Sequence, residues 1–436
     1  MKRDSRRRLT FPDLSRRQLE SASGFALILC TLVALFLANS SWRHEVEAFW
    51  ELPVGIEVGT FSLRLSLLHW INDGLMTVFF FSVGLEIKRE ILFGELRGWR
   101  RAVLPAAAAL GGMVVPATVF LIWQWGEPGV GGWGVPMATD IAFVVGILAL
   151  LGRRVPRSVK VFLLTLAIVD DIGAVLVIAV VYTSNLAPEY LMLAAIGFAL
   201  VLAFNRLGVR SYFPYIVLGA GIWLAFLRSG VHPTVAGVLL GAFTPAEPLL
   251  PARDLLGIIE GIAGRLRGDE GADSAEIHEH HQRDVDTMTA AARETVAPMH
   301  RLESAVQPWV AIAIMPIFAL ANAGVALELN QALDPLALAV AVALVAGKPL
   351  GIVGFSMLAV ALRAGRLPPQ VTWGLLSGAG CLAGVGFTMS IFIAGLAWSG
   401  EMLVAGKNGI LAGSALSALL GSGIIFAFAL RREAST

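Results

Sequence analysis

Two adjacent aspartates, Asp170 and Asp171, lie inside the apolar run Leu163-Leu-Thr-Leu-Ala-Ile-Val-Asp-Asp-Ile-Gly-Ala174. Asp140 lies in a second such run and Lys348 in a third. An ionisable group at the centre of a bilayer costs about 2.5–3.5 kcal/mol on insertion scales, so four cost on the order of 10 kcal/mol and are not carried without a use. Three acids and one base do not balance. If Lys348 neutralises one carboxylate, the others must take a proton, bind a cation or meet positive helix ends. Each is a way to handle ions; the plainer alternative is an internal ion-pair set that fixes helix register. Successive positions on a helix point about 100° apart, so Asp170 and Asp171 cannot both face one partner. One would face Lys348 and the other a water-filled cavity. A proton and a small cation can each neutralise such a carboxylate, and neither binds while the other does.

Placing these groups requires membrane helices. Of 436 residues 56% are apolar and only 15% charged. The apolar residues come in long blocks, which face lipid or each other. Taking roughly 20 residues per crossing, the chain reads as an all-α polytopic membrane protein. Its twelve spans run near 22–39, 67–87, 102–123, 136–152, 158–182, 189–205, 212–227, 230–243, 309–327, 335–361, 371–398 and 404–430. Counting Lys and Arg in alternate gaps gives 28 on the side of the N-terminal tail and four on the other, Arg43, Arg64, Arg228 and Lys407. Basic loops stay in the cytoplasm, so both termini belong there. A cleaved signal peptide ending near Ala38-Asn39-Ser40 is the rival reading of the first span.

This gives a basic cytoplasmic tail (1–21), one transmembrane domain (22–430), an external β-hairpin (46–66), a cytoplasmic loop (244–308) and a cytoplasmic C-terminus (431–436). The hairpin follows from the alternating Thr60-Phe61-Ser62-Leu63-Arg64-Leu65 beside Gly55 and Gly59. A lone hairpin is marginal, which points to pairing with a second copy in a homodimer. The loop carries His278, His280 and His281, read as surface histidines rather than a metal site. Cys30 and Cys381 offer no disulfide framework. There is no P-loop, no sign of a cofactor and no nucleic-acid signal.

Two spans look interrupted. The fourth contains Pro136 and Thr139-Asp140, and the eleventh has Gly378, Gly380, Gly384 and Gly386 within nine residues. Close helix packing through small residues would explain the glycines alone. Interruptions in both halves of a chain instead point to inverted-topology repeats, here about 102–182 and 335–430, whose broken fourth and eleventh helices cross. Unwound helices expose partial charges of about +0.5 and −0.5 at their ends, and Asp140 and Lys348 have the signs to compensate them.

Pro136-Met-Ala-Thr-Asp-Ile-Ala-Phe143, the Asp170-Asp171 run, Gly347-Lys-Pro-Leu-Gly351 and Gly386-Phe-Thr-Met-Ser-Ile-Phe-Ile393 resemble the NhaA-type sodium/proton antiporters. So do Asn72-Asp-Gly-Leu-Met76, Val83-Gly-Leu-Glu-Ile-Lys-Arg-Glu90, Ser229-Gly-Val-His-Pro-Thr234 and Pro316 to Val325, in order from about Gly24 to Ala429. The resemblance implies a multi-pass protein of the bacterial inner membrane that expels cytoplasmic Na+, with Li+ a second candidate, for external protons, electrogenically and under pH control. It implies Asp171 as the principal Na+ ligand, with Asp170 pairing with Lys348 or sharing the cation. Thr139 and Asp140 match the broken helix and Lys348 the charge-balancing lysine. Glu86, Arg89, Glu90 and Glu303 match a cytoplasmic pH-linked cluster, although Glu86 and Arg89 also suit an ordinary i,i+3 ion pair. His232 is either a core histidine or a pH-sensitive one. The chain departs from the family at Glu303-Ser304-Ala305-Val306-Gln307-Pro308, where better-known members carry histidines, and in a longer stretch over 257–297. An antiporter of another monovalent cation, a cation channel and an intramembrane aspartyl protease are the rival functions. The protease would need its pair on separate helices, with Asp140 and Asp170 the candidates.

Overall fold

A computed structural model of the chain describes residues 16–433, apart from 60, 153–154, 184, 210, 249, 269–273 and 327–332. Backbone groups in hydrocarbon must be satisfied within their own segment, so the apolar runs close into helices. Among the described residues seven helices are long and apolar enough to cross a membrane, and ten if each of three bent pairs counts as one span. The other two expected spans correspond to shorter helices of 17 and 10 residues, Met76–Leu92 and Thr234–Phe243.

In chain order, α1 (Arg16–Ala38) turns through 117° into α2 (Arg43–Trp50). Strands β1 (Pro53–Val58) and β2 (Phe61–Ser66) pair antiparallel, with Pro53 opposite Ser66 and Val58 opposite Phe61. Gly59 enters the tight turn at a φ of +60°, where glycine carries no steric penalty. The hairpin is shorter than the expected 46–66 because residues 43–50 form a helix. Trp70 Nε1 donates to the Val54 carbonyl at 2.8 Å and ties the hairpin to the body.

A π turn, Trp70–Leu75, leads into α3 (Met76–Leu92). Next come α4 (Trp99–Trp123), α5 (Ile141–Leu151), α6 (Arg157–Val181), α7 (Pro188–Arg206), α8 (Tyr212–Ser229) and α9 (Thr234–Phe243). Where the sequence reads as a polar connector, two further helices form, α10 (Ala252–Gly268) and α11 (Ser274–Glu294). Apolar residues at helical spacing, among them Ile262 on α10 and Ala291 on α11, are buried there. The span expected from 309 starts earlier: α12 (Pro298–Trp309) carries Pro308 within it and passes through a π turn, Val310–Ile314, into α13 (Met315–Asn322). Then follow α14 (Pro335–Val342), a third π turn (Ala343–Gly347), α15 (Lys348–Ala361), α16 (Trp373–Ala383), α17 (Phe387–Ala397) and α18 (Gly400–Glu433).

The main core joins Phe80, Phe120, Phe318, Leu344 and Phe392 from both halves of the chain, and a smaller one joins Ile222, Phe226 and Ala236 of α8 and α9. Helices α4 and α15 meet backbone to backbone. A Cβ on Gly111 would fall on the Gly351 carbonyl and one on Gly351 on the Gly111 carbonyl, so only glycine permits this approach.

Candidate functional site

Helix α6 is unbroken for 25 residues and carries Asp170 and Asp171 at its middle. Two bent pairs stand beside it. The segment Pro128–Met137 meets α5 at 44°, and α16 meets α17 at 45°. Their breaks lie against each other and are joined by hydrogen bonds. Asp140 N–H donates to the Val385 carbonyl at 2.7 Å, the Thr139 hydroxyl to the Ala383 carbonyl at 2.8 Å, and Ser390 Oγ to the Val135 carbonyl at 2.8 Å. Chain leaving helical geometry at this depth frees backbone groups that only such partners satisfy. A Cβ on Gly386 would crowd the Ala138 carbonyl, so the glycine lets the breaks touch.

Asp140 serves both half-helices. Its Oδ1 accepts from Phe143 N–H at 3.0 Å as the N-cap of α5, and its Oδ2 accepts from Thr388 N–H at 3.0 Å and from the Thr388 hydroxyl at 2.5 Å. One carboxylate thus meets the positive ends of α5 and α17. Thr388 was missed as a site residue in the sequence, although it follows the glycine-rich break inside the quoted Gly386-Phe-Thr motif.

Lys348 follows the π turn at Ala343–Gly347, an insertion that re-aims side chains and recurs at functional sites. Its Nζ donates to Asp170 Oδ2 at 2.7 Å and to the Thr139 hydroxyl at 2.8 Å. Lys348, Asp170, Thr139 and Asp140 are all fully or almost fully buried. Helical spacing left open which aspartate faces the lysine; in the structure it is Asp170. The Asp140–Asp170 pairing of a protease is not formed, because Asp140 is committed to helix ends and Asp170 to Lys348.

Asp171 is the remaining acid. It is 2% exposed, and among the described residues no hydrogen-bond donor engages it. The carboxylates of Asp170, Glu86 and Asp140 repel a charge on Asp171, and Lys348 attracts it. With Lys348 matched by Asp170 and Asp140 matched by helix ends, Asp171 is left able to take a proton or a small cation. Among the described residues no three His, Cys, Asp or Glu side chains are arranged to hold a metal ion.

Glu86, Arg89, Glu90 and Glu303 come together at one end of α3. Arg89 Nη1 pairs with Glu303, and Nη2 lies 3.4 Å from Glu86 and 3.5 Å from Glu90. His300 Nδ1 approaches Glu303 at 3.8 Å, a neighbour the sequence did not single out. One arginine faces three carboxylates, a surplus of negative charge. His232 is not part of this cluster. It lies with Asp73 of the first π turn at 3.7 Å and with the Thr234 hydroxyl at 2.8 Å, and its ring meets Phe392 of α17 edge-on. The side chains of His278, His280 and His281 lie outside the described residues.

A family model described as Na+/H+ antiporter 1 matches residues 16–425. A Na(+)/H(+) antiporter NhaA of Rhodopirellula baltica is 50% identical over 408 residues, covering 93% of this chain and 92% of that one. Another Na(+)/H(+) antiporter NhaA, from Rhizobium meliloti, is 49% identical over 415 residues, covering 95% and 94%. Among solved structures, a sodium proton antiporter of Methanocaldococcus jannaschii at pH 8 matches 94% of this chain and 98% of its own, at 11% identity and a TM-score of 0.47.

Proposed function

The chain belongs to the Na+/H+ antiporter 1 family and is a sodium/proton antiporter, and on that premise we propose that Asp171 is the group for which the two ions compete. The observation that carries this reading is the inventory of partners: of the three aspartates around the helix breaks, Asp140, Asp170 and Asp171, the last has no donor to neutralise it among the described residues. A sodium ion arriving from the cytoplasm binds the deprotonated carboxylate, with Asp170 and the Thr139 hydroxyl as further oxygen ligands. A proton from outside later displaces it. Na+ on Asp170 weakens the pair with Lys348 and lets the lysine give up its proton. More than one proton then moves per sodium, and the exchange is electrogenic. Lithium, with the same charge, is taken by the same oxygens.

The surrounding architecture belongs to the same proposal. Segments 102–182 and 335–430 are inverted repeats, with the two broken helices crossing at Asp140, Thr139 and Lys348. The distribution of Lys and Arg supports twelve spans with both termini in the cytoplasm of the bacterial inner membrane. The hairpin Pro53–Ser66 joins two copies into a homodimer. The Arg89 cluster tunes activity with pH; what supports this is that Glu86, paired with Arg89, also acts electrostatically on Asp171. His232 is a second, external pH-sensitive element.

Sodium-driven dequenching of a pH-sensitive dye in everted membrane vesicles tests the central role. The parent chain alkalinises the vesicle interior's proton store on addition of Na+, and Asp171→Asn does not. Exchange surviving in Asp171→Asn removes Asp171 from the reaction.

A further inference from the structure

The sharp corner between α1 and α2 opens a cavity to which none of Thr139, Asp140, Asp170, Asp171 and Lys348 contributes. It measures about 560 Å³ and is closed by the C-terminal end of α13 and the first turns of α18. Cavities of roughly 300–1,000 Å³ suit small-molecule groups. Its floor is apolar, including Ala34, Leu37 and Leu320, and its walls include Trp42, Phe49 and Trp50. Trp42 and Phe49 are 59% and 50% exposed, as expected of aromatic rings at a bilayer surface. Outward-facing Phe25, Leu29, Leu32 and Phe36 continue along α1 below them as a surface for lipid chains.

The charges in this cavity are the informative part. Lys407 lies about 10 Å, seven residues, into α18 from Gly400, and it lines the cavity. Among the described residues no acceptor contacts its ammonium. Lysines near a helix end normally extend towards water along an apolar stem; here the route leads into the cavity. Glu45, Glu47 and Glu51, all exposed, line its rim, and Arg43 is engaged with Glu47 at 2.9 Å. The Lys407 ammonium and a set of carboxylates are therefore presented to one occupant.

We propose that this corner binds the headgroup of a zwitterionic aminophospholipid, its phosphate on Lys407 and its ammonium on Glu45 and Glu51, with the acyl chains lying on α1. A purely anionic headgroup would suit Lys407 but face the rim carboxylates, and a quaternary ammonium would offer them no N–H donors. The position at a membrane surface and the lipid-facing strip of α1 favour a lipid over a soluble phosphate ester. The inference is independent of the ion chemistry.

The test is competitive lipid binding to the full-length protein, read by native mass spectrometry after exchange into phosphatidylethanolamine, phosphatidylcholine and phosphatidylglycerol, with free phosphoethanolamine as a further arm. One retained phosphatidylethanolamine per chain is expected. Lys407→Gln removes a charge-assisted contact and should weaken that retention about tenfold. Glu45→Gln with Glu51→Gln, both on the rim where folding is not at stake, should abolish the preference over phosphatidylcholine. Equal retention of the three lipids, a preference for phosphatidylglycerol, retention unchanged in the variants, or a variant that alters only self-association each overturns the proposal. Phosphoethanolamine displacing the lipid would show that a soluble ester is bound and overturn the assignment to lipid.

Discussion

Asp140 and Asp171 are both buried carboxylates in the middle of the molecule, yet they sit in opposite surroundings. Asp140 lies where two helices are broken and accepts three hydrogen bonds, from Phe143 and twice from Thr388. Asp171 lies on an unbroken helix with no donor against it and three carboxylates acting on it. Burial alone does not distinguish a structural acid from a transporting one. The count of donors is what the proposed role of Asp171 rests on: Asp140 is satisfied by helix ends, whereas Asp171 has no protein donor to neutralise it among the described residues.

Several substitutions would break or sharpen this contrast. The largest effect is expected for Asp171→Asn, which should take Na+/H+ exchange to background while leaving thermal stability in detergent at or above that of the parent, since it removes an uncompensated charge. A fall in stability comparable to that of Asp140 variants would erase the distinction. Lys348→Met strands Asp170 and should cost about 3–5 kcal/mol, much of it recovered when Asp170→Asn is added. A double variant no more stable than the single one would show the pair is not coupled. Asp140→Ala removes two helix caps and should cost about 1–4 kcal/mol, with Asp140→Asn costing less because asparagine caps well. Equal melting temperatures for the two would argue against a capping role. The smallest effect is expected for Thr388→Val, which deletes a hydroxyl donor to Asp140 and should cost about 1.5 kcal/mol by the same melting measurement.

Much of this site was legible in the sequence because charge in hydrocarbon is costly wherever it occurs. Asp140, Asp170, Asp171 and Lys348 stood out without reference to any partner, and the glycines at 378–386 marked the second break. The choice of Asp170 as the partner of Lys348 came from the family resemblance and not from helical spacing, since a helical repeat gives directions around an axis but not which side meets a neighbour. The π turns before Met76, Met315 and Lys348 left no sequence mark, because one extra residue per turn needs no unusual residue type. Helices α10 and α11 were hidden by polar composition, which reads as connector although its few apolar residues fall on one face. The corner at residues 39–42 was likewise invisible: an apolar run shows its length, not the angle of the chain that follows.

The glycine pair Gly111 and Gly351 sets which parts can travel. With no side chain between the backbones of α4 and α15, those helices have no lubricating layer and behave as a single strut, so the rod that bears Lys348 cannot shift unless its neighbour shifts with it. The two breaks, by contrast, are joined by a few hydrogen bonds. On the proposed role of Asp171, exchange of its exposure between the two faces would fall to the hinged segments and not to this frame.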